Sequence, residues 1–392
     1  MQLDKKVLFA TREQELLLEA ALLDGEHAIN AWQQWKSIVD LEGHHDSGTY
    51  SLFPLLYKNL QRYGIEDPFM ERLKGIYRLE WYKNQRLIYN MSRVLQYLHD
   101  SGIQTMILKG AALIELYYKN YAVRLMAGID ILVPTSQALS TINLLNKAGW
   151  TQTTTLKDEH LYYRHSIQFK DQSGKELDLL WHLLSESCLE DSDTVFWDRA
   201  VPIRINEVST YALDSTDTLF HVIIHGVRWN SEPPIRWIAD AMCIINSTDS
   251  EIDWPRLIIQ AKKSRLVIPV KEALNYLHEK FQVPIPNSIL DSMNQLSVSR
   301  TESLEYRIIT RNPETISNTL LGTLIGNFPI YLVEYLRLTN DSGFLRKIIG
   351  LPKYLQFRTN AKSLHVLCTF FISRSIITMK KLLSRLGTNI SQ

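Results

Sequence analysis

Cysteine is almost missing: Cys188, Cys243 and Cys368 are the only three in 392 residues. They are scattered, with no paired spacing, which argues against a disulfide framework or a zinc cluster and for a reducing compartment. No apolar run is long enough to cross a bilayer either. SLHVLCTFFIS is too short, and TLLGTLIGNFPIYLV is short and interrupted by Gly322, Gly326 and Pro329. Neither sign of charge prevails, the formal net charge being +1, so the chain as a whole makes no case for a polyanionic partner. There is no internal repeat and no low-complexity tract. The opening stretch MQLDKKVLFATREQELLLEAALL places acids beside its apolar residues and has no small-residue cleavage pattern. No secretory leader is expected, and the cytoplasm is the expected location.

What is present is a chain too long for one small domain, with the apolar and charged content of a globular protein that buries a substantial core. Residues 1–100 read as amphipathic helices, with stripes such as Leu16, Leu17, Leu18, Ala20, Ala21 and Leu22, then Ile88, Met91, Val94, Leu95 and Leu98. Aromatic residues in that region are expected in its core. A mixed α/β region follows over 101–208, a helical region over 209–300, and a basic helical region over 301–392. The stretch from about Asn246 to Trp254 reads as a loop. After Asp341 there is no acid, while Arg346, Lys347, Lys353, Arg358, Lys362, Arg374, Lys380, Lys381 and Arg385 follow. Three readings of that basic end compete: a face for acceptor phosphate or nucleic acid, peripheral contact with anionic lipid, or a helix docked on the acidic remainder of the chain.

The run from Ile107 to Val133, ILKGAALIELYYKNYAVRLMAGIDILV, concentrates the candidate chemistry. GIDILVP is a short β-branched run carrying one acid, Asp130, and closed by Pro134. An acid there is either a buried carboxylate satisfied by backbone amides, a cap, or a ligand. On a strand, positions 128 and 130 share a face, and position 128 is glycine. Upstream, Lys109-Gly110 follows a strand-like QTMIL and opens a helical AALIELYYKN, so small residues there let amides approach a phosphate while Lys109 adds a point charge. Ordinary loops also carry Lys-Gly. Arg124, four positions before Gly128, either reaches a phosphate or makes a surface ion pair with Glu115 or another acid.

Further along, SIQFK, the turn DQSG and KELDLLWHL predict a hairpin turning at Asp171 to Gly174. Its second strand is expected to put Glu176, Asp178, Leu180 and His182 on one face and Leu177, Leu179 and Trp181 on the other. Asp178 then looks across to Asp130, or faces water from an edge strand. His221 and His225 stand four apart, where a helix puts them on one face and Asp240 on the next helix could meet them. That spacing suits a metal or an acid–base pair, but without the adjoining glutamate of a zinc protease it equally suits packed histidines.

In order and spacing these pieces resemble the bacterial "uncharacterised nucleotidyltransferase" family, a branch of the polymerase-β-like nucleotidyltransferases. The likeness runs through LFPLLYKNL, YLHDSGIQTMILKG, RLMAGIDILV, LLNKAGW, LDLLWHLL and DTLFHVIIHGVRWNSEPPIRWIADAMCII, nearly the whole chain. It implies an α+β fold, a small mixed sheet with flanking helices forming the nucleotidyltransferase core between N- and C-terminal helical regions. It implies Mg²⁺ and a nucleoside triphosphate, with Asp130 and Asp178 as metal-binding and catalytic carboxylates and Lys109, Gly110 and Arg124 on the nucleotide. His182, His225, Arg236 and Asp240 follow as further contributors, with His182 two residues after Leu180, where a histidine is common in the family. The family pattern of Arg, three residues, Asp-x-Asp is broken at Gly128, which removes one ligand and one negative charge. Two functions follow: transfer of a nucleotide monophosphate to an unidentified acceptor, or a degenerate member that binds nucleotide or a partner without turnover.

Overall fold

The computed structural model describes residues 9–154, 156, 158–189, 191–227, 235–247, 251–310, 320–339 and 344–359. The chain divides into two compact units, residues 1–306 and 307–392. The first opens with four helices, α1 (Arg12–Leu22), α2 (Gly25–Ile38), α3 (Ser47–Arg62) and the long α4 (Phe69–Asp100). The start of α1 is fixed by a capping box in which Thr11 accepts from the Gln14 amide and Gln14 accepts from the Thr11 amide. The α1 stripe is buried from Leu16 to Ala21, as its pattern predicts, and Leu22 is half-buried at the helix end. Then come β1 (Met106–Ile107), α5 (Lys109–Leu113), a π-turn over Ile114–Tyr118, β2 (Ile129–Leu132), α6 (Ala138–Lys147), β3 (Thr151–Gln152), β4 (Ser166–Lys170), β5 (Glu176–Leu180), α7 (Thr194–Trp197), β6 (Val201–Ile205) and β7 (Val208–Ala212). Five helices close the unit: α8 (Ser215–Gly226), α9 (Arg236–Ile245), α10 (Trp254–Lys263), α11 (Val267–Phe281) and α12 (Asn287–Gln295); α13 (Arg300–Ile309) crosses the division.

The strands form one seven-stranded mixed sheet in the order β3-β4-β5-β2-β1-β7-β6. The α+β architecture expected from sequence is therefore present. The hairpin forms as predicted, with Gly174 supplying a φ of +79° and Asp171 collecting the Ser173 and Lys175 amides in the turn. β2 and β5 run parallel, pairing Ile129 with Leu177, Asp130 with Asp178, Ile131 with Leu179 and Leu132 with Leu180.

Alternation along these strands sends their apolar residues into two different cores. Ile129, Ile131, Leu177 and Leu179 pack with the second half of α4 and with α6. Leu132 and Leu180 pack on the other side, with the N-terminal helices and α8 to α12. Asp130 and Asp178 share that second side, at the end of the strands where the apolar packing stops. The sheet thus anchors both acids from behind.

The second unit contains α14 (Leu320–Leu338) and α15 (Phe344–Thr359). Tyr335 and Tyr354 pack with ring centroids 5.2 Å apart, and Glu334 accepts from Tyr354 and pairs with Arg358. No described helix is long and apolar enough to cross a membrane. Lys362, Arg374, Lys380, Lys381, Arg385 and Cys368 lie outside the described residues, as do the side chains of Arg346 and Lys347.

Candidate functional site

A cavity of about 670 Å³ opens on the Asp130 side of the sheet, walled by α8 and α9 and by the link that precedes β2. Lys109, Gly110, Arg124, Gly128, Asp130, Asp178, His225, Arg236 and Asp240 all line it, together with His221 and Glu176. Residues from five separate segments of sequence therefore converge as expected. The Lys109 ammonium donates to Asp130 Oδ1 at 2.7 Å. Lys109 does so from a left-handed backbone conformation, φ +51°, which a non-glycine residue adopts at a cost and which concentrates at functional sites. Burial, with Asp130 and then Glu176 close by, raises the Asp178 carboxyl above the usual carboxylate range against the pull of Lys109.

Arg124 is not on the surface. It is buried and makes two hydrogen bonds of 2.8 Å to Asp240, one to each carboxylate oxygen, while Tyr118 donates to the same carboxylate at 2.8 Å. Burial works against the Arg124 charge, and Asp240 more than restores it. The expected meeting of Asp240 with the histidine pair is thus replaced by an Arg–Asp–Tyr network. A buried asparagine on α4 explains how the network is held: Asn84 donates to the carbonyls of Tyr121 and Arg124 and fixes the link between them. Gly110 serves this packing directly, because a Cβ there would lie 2.6 Å from Arg124 Nη1 and 2.7 Å from Met126 Cγ. Its absent side chain makes room for the guanidinium.

Arg236 begins α9 and donates to the Leu125 carbonyl at 3.3 Å. Burial first, then the neighbouring Arg124, lower its pKa. No carboxylate among the described residues pairs with it. Two guanidinium groups thus stand in one wall with a single carboxylate between them, which leaves that wall cationic.

The chain matches the family model for uncharacterised nucleotidyltransferases over residues 47–282. It belongs to that family. Membership implies a nucleotide as substrate. Among solved structures, a nucleotidyltransferase-like antigenic protein of Paracoccidioides brasiliensis is similar to the chain at 15% identity and a TM-score of 0.34, over 52% of this chain and 92% of its own. No curated protein matches.

Against the family's Asp-x-Asp pattern, the departure at Gly128 has a specific geometry. Gly128 falls in a bend one residue before β2, not within the strand. A Cβ on it would come within 3.3 Å of the Glu176 carbonyl and 3.7 Å of Glu176 Cβ. A side chain at 128 would therefore stand beside Glu176, as Asp130 stands beside Asp178. Glu176 itself is turned to Lys170, at 2.8 Å, and accepts weakly from Gln168 at 3.4 Å.

His182 does not join the site. The amides of Trp181 and His182 both donate to the His165 carbonyl, which breaks the strand alternation after Leu180. The ring instead lies buried against Asp193, at 2.7 Å. His221 and His225 do share a face of α8, with ring centroids 6.1 Å apart.

Sequence reasoning missed Glu80 and Lys83, which line the cavity from α4 and pair at 2.6 Å. The signal was available: Glu80 and Asn84 occupy positions in the buried stripe of α4 between Ile76 and Ile88, where polar residues need a partner.

Proposed function

We propose that this cavity binds a nucleoside triphosphate with Mg²⁺ and transfers its nucleotide monophosphate to an acceptor hydroxyl or phosphate. The observation that carries the reading is the pairing of Asp130 with Asp178 across adjacent parallel strands at the cavity floor, with Lys109 on Asp130. Among the described residues no group of three or more acid, histidine or cysteine side chains is placed to hold a metal without help. Two carboxylates still fit Mg²⁺, which commonly takes one or two protein carboxylates and completes its shell with phosphate oxygens and water. Asp130 and Asp178 would hold it, and when bound it supplies charge to the phosphates and orientation to the attacking oxygen.

The chain's own residues account for the remaining roles. Arg236 and Arg124 present a cationic wall to the triphosphate, and Lys109 offers an ammonium that can exchange Asp130 for a phosphate oxygen. Asp178, with its raised pKa, accepts the proton of the attacking hydroxyl. The new bond forms between that oxygen and the α-phosphorus, the bond from the α-phosphorus to the bridging oxygen breaks, and pyrophosphate departs with the electron pair.

A second reading, nucleotide binding without turnover, is favoured by Gly128 and by the Lys109–Asp130 ion pair, which already neutralises one of two remaining acids. Transfer of label from α-phosphate-labelled triphosphates decides between them, measured beside calorimetric nucleotide binding with and without MgCl₂. Label transfer by the wild type that disappears in Asp130→Ala and in Asp178→Ala supports the enzyme. Metal-dependent binding without transfer, with transfer appearing only in Gly128→Asp, supports the degenerate member. Absence of metal-dependent nucleotide binding refutes both.

A further inference from the structure

The outer face of α4 carries a continuous stripe of alternating arginine and tyrosine, and from it we infer a binding surface for single-stranded nucleic acid. Arg78, Tyr82, Arg86, Tyr89, Arg93 and Tyr97 are spaced by four, four, three, four and four residues and all are exposed. At 3.6 residues per turn they fall within about 100° of arc, and the stripe is about 28 Å long at 1.5 Å per residue. It lies opposite the helix's buried face, where Leu73, Ile76, Asn84, Ile88, Met91, Leu95 and Leu98 pack.

Three features separate this stripe from an ordinary solvated helix face. First, the rings are open to solvent, Tyr82 by 54%, Tyr89 by 60% and Tyr97 by 36%, whereas Trp32, Trp35, Phe53 and Phe69 of the same region lie in the core as the sequence predicts. Second, none of the three arginines has a carboxylate partner among the described residues. Arg86 instead stacks over the Tyr82 ring, 5.7 Å from its centroid. Third, acids are scarce on the helix. Glu80 is buried on Lys83, Glu71 pairs with Lys74 in the first turns, and Asp100 lies at the end beside His99. The face is therefore cationic throughout its length, although the whole chain is nearly neutral.

Alternating cations and open rings are what a flexible polyanion with stackable bases requires: backbone phosphates take the arginines and bases lie on the rings. The ends of the stripe support the same partner. Near its middle α4 lines the Asp130 cavity through Lys83. Towards its end Arg93 and Tyr97 join Trp150, Lys175 and Asp171 around a separate groove of about 340 Å³, the one acid there lying 3.8 Å from Lys175. There Lys175 donates to Asn90 at 3.0 Å. An anionic bilayer would engage the arginines, but a surface-seated helix inserts its apolar face, and the apolar face of α4 is already packed in the protein core. The inference stands independently of the proposed transferase reading, because none of the six residues lines the Asp130 cavity, and Arg93 and Tyr97 border the separate groove.

Fluorescence anisotropy with a labelled 12-nucleotide oligoribonucleotide tests the inference, on the full chain and across a salt series. Binding is expected, and the combined Arg78→Gln, Arg86→Gln and Arg93→Gln variant should bind at least about tenfold more weakly and lower the salt slope by about two, since each phosphate contact on a single strand contributes about 0.7. Tyr82→Ala or Tyr89→Ala should each weaken binding about five- to hundredfold, as loss of one stacking platform does. Tyr82→Phe and Tyr89→Phe should retain it, and unchanged melting curves show that the variants are folded. Absence of binding by the wild type overturns the proposal. So does binding that the arginine and alanine variants leave unchanged, or the same variants abolishing capture by phosphatidylserine vesicles while the oligonucleotide is not bound.

Discussion

Removing the Asp240 carboxylate exposes how far the cationic wall depends on one buried acid. Asp240→Ala deletes the acceptor of two 2.8 Å hydrogen bonds from Arg124 and one from Tyr118. Arg124 is only 6% exposed, so its guanidinium cannot be rehydrated where it stands. A buried charge left without its partner costs about 3–5 kcal/mol, and a stranded buried hydroxyl about 1–3 kcal/mol. Both losses come from the same carboxylate and do not add, so the expected destabilisation is about 3–5 kcal/mol. Urea unfolding followed by tryptophan fluorescence measures it. The companion variant Arg124→Met with Asp240→Leu removes both charges and should regain most of that stability, since apolar replacement of a buried pair is commonly neutral or favourable. Its triphosphate binding should nevertheless fall, because half of the cationic wall is gone. A loss below about 1 kcal/mol in Asp240→Ala, the range of an exposed pair, would refute the argument that this network is buried and fixes the wall.

Gly226 ends α8 against α9, where a Cβ would lie 2.1 Å from Trp237 Cγ; Gly226→Ala should destabilise by about 1–3 kcal/mol through overpacking, and an unchanged melting temperature would contradict that contact. Gly110→Ala should displace Arg124 and weaken nucleotide binding by about tenfold or more, an ordinary consequence of misplacing a bound-state contact; calorimetry with equal affinity in both proteins would show that the guanidinium has room to spare. For Asp178, a folded-state pKa raised above 3.8 means that the fold favours the protonated form, so stability declines as pH climbs from 3.8 through the raised value. Asp178→Asn should flatten that decline and stabilise the protein modestly at a pH above the raised value, while abolishing transfer; melting curves measured from acid towards neutral pH would expose the opposite sign.

Where local pattern and environment agreed, the sequence was legible. β2 around Asp130 and the hairpin carrying Asp178 both rest on alternation and turn chemistry, which are local, whereas the parallel register between them is a long-range pairing that neither strand's own pattern specifies. His182 escaped because alternation holds only while the strand pairs regularly, and the shared His165 carbonyl ends it. For Arg124 the sequence leaves open a phosphate contact or a surface ion pair, because its burial depends on Asp240, 116 residues away, and on the space left by Gly110. The tyrosines of α4 read as core because ring content alone does not reveal which arc of a helix they occupy. Their phase against Leu73, Ile88 and Leu95 would have shown it.

The missing ligand at Gly128 then has a physical setting in which compensation is cheap. The first acid of the family's Asp-x-Asp pattern would stand beside Glu176, whose carboxylate is held away by Lys170 in a half-exposed pair. Pairs of that kind are worth about 0–1 kcal/mol, so turning Glu176 from Lys170 towards the cavity requires little free energy. Lys109 holds its ammonium 2.7 Å from Asp130. The local charge with Asp130, Asp178 and Lys109 is one negative, and recruiting Glu176 would make it two negative, the balance that a divalent cation neutralises. Nucleotide entry, by drawing Lys109 onto a phosphate, would free Asp130 at the same moment. On the proposed reading, metal binding would be coupled to triphosphate binding, each creating the vacancy or the oxygens that the other needs.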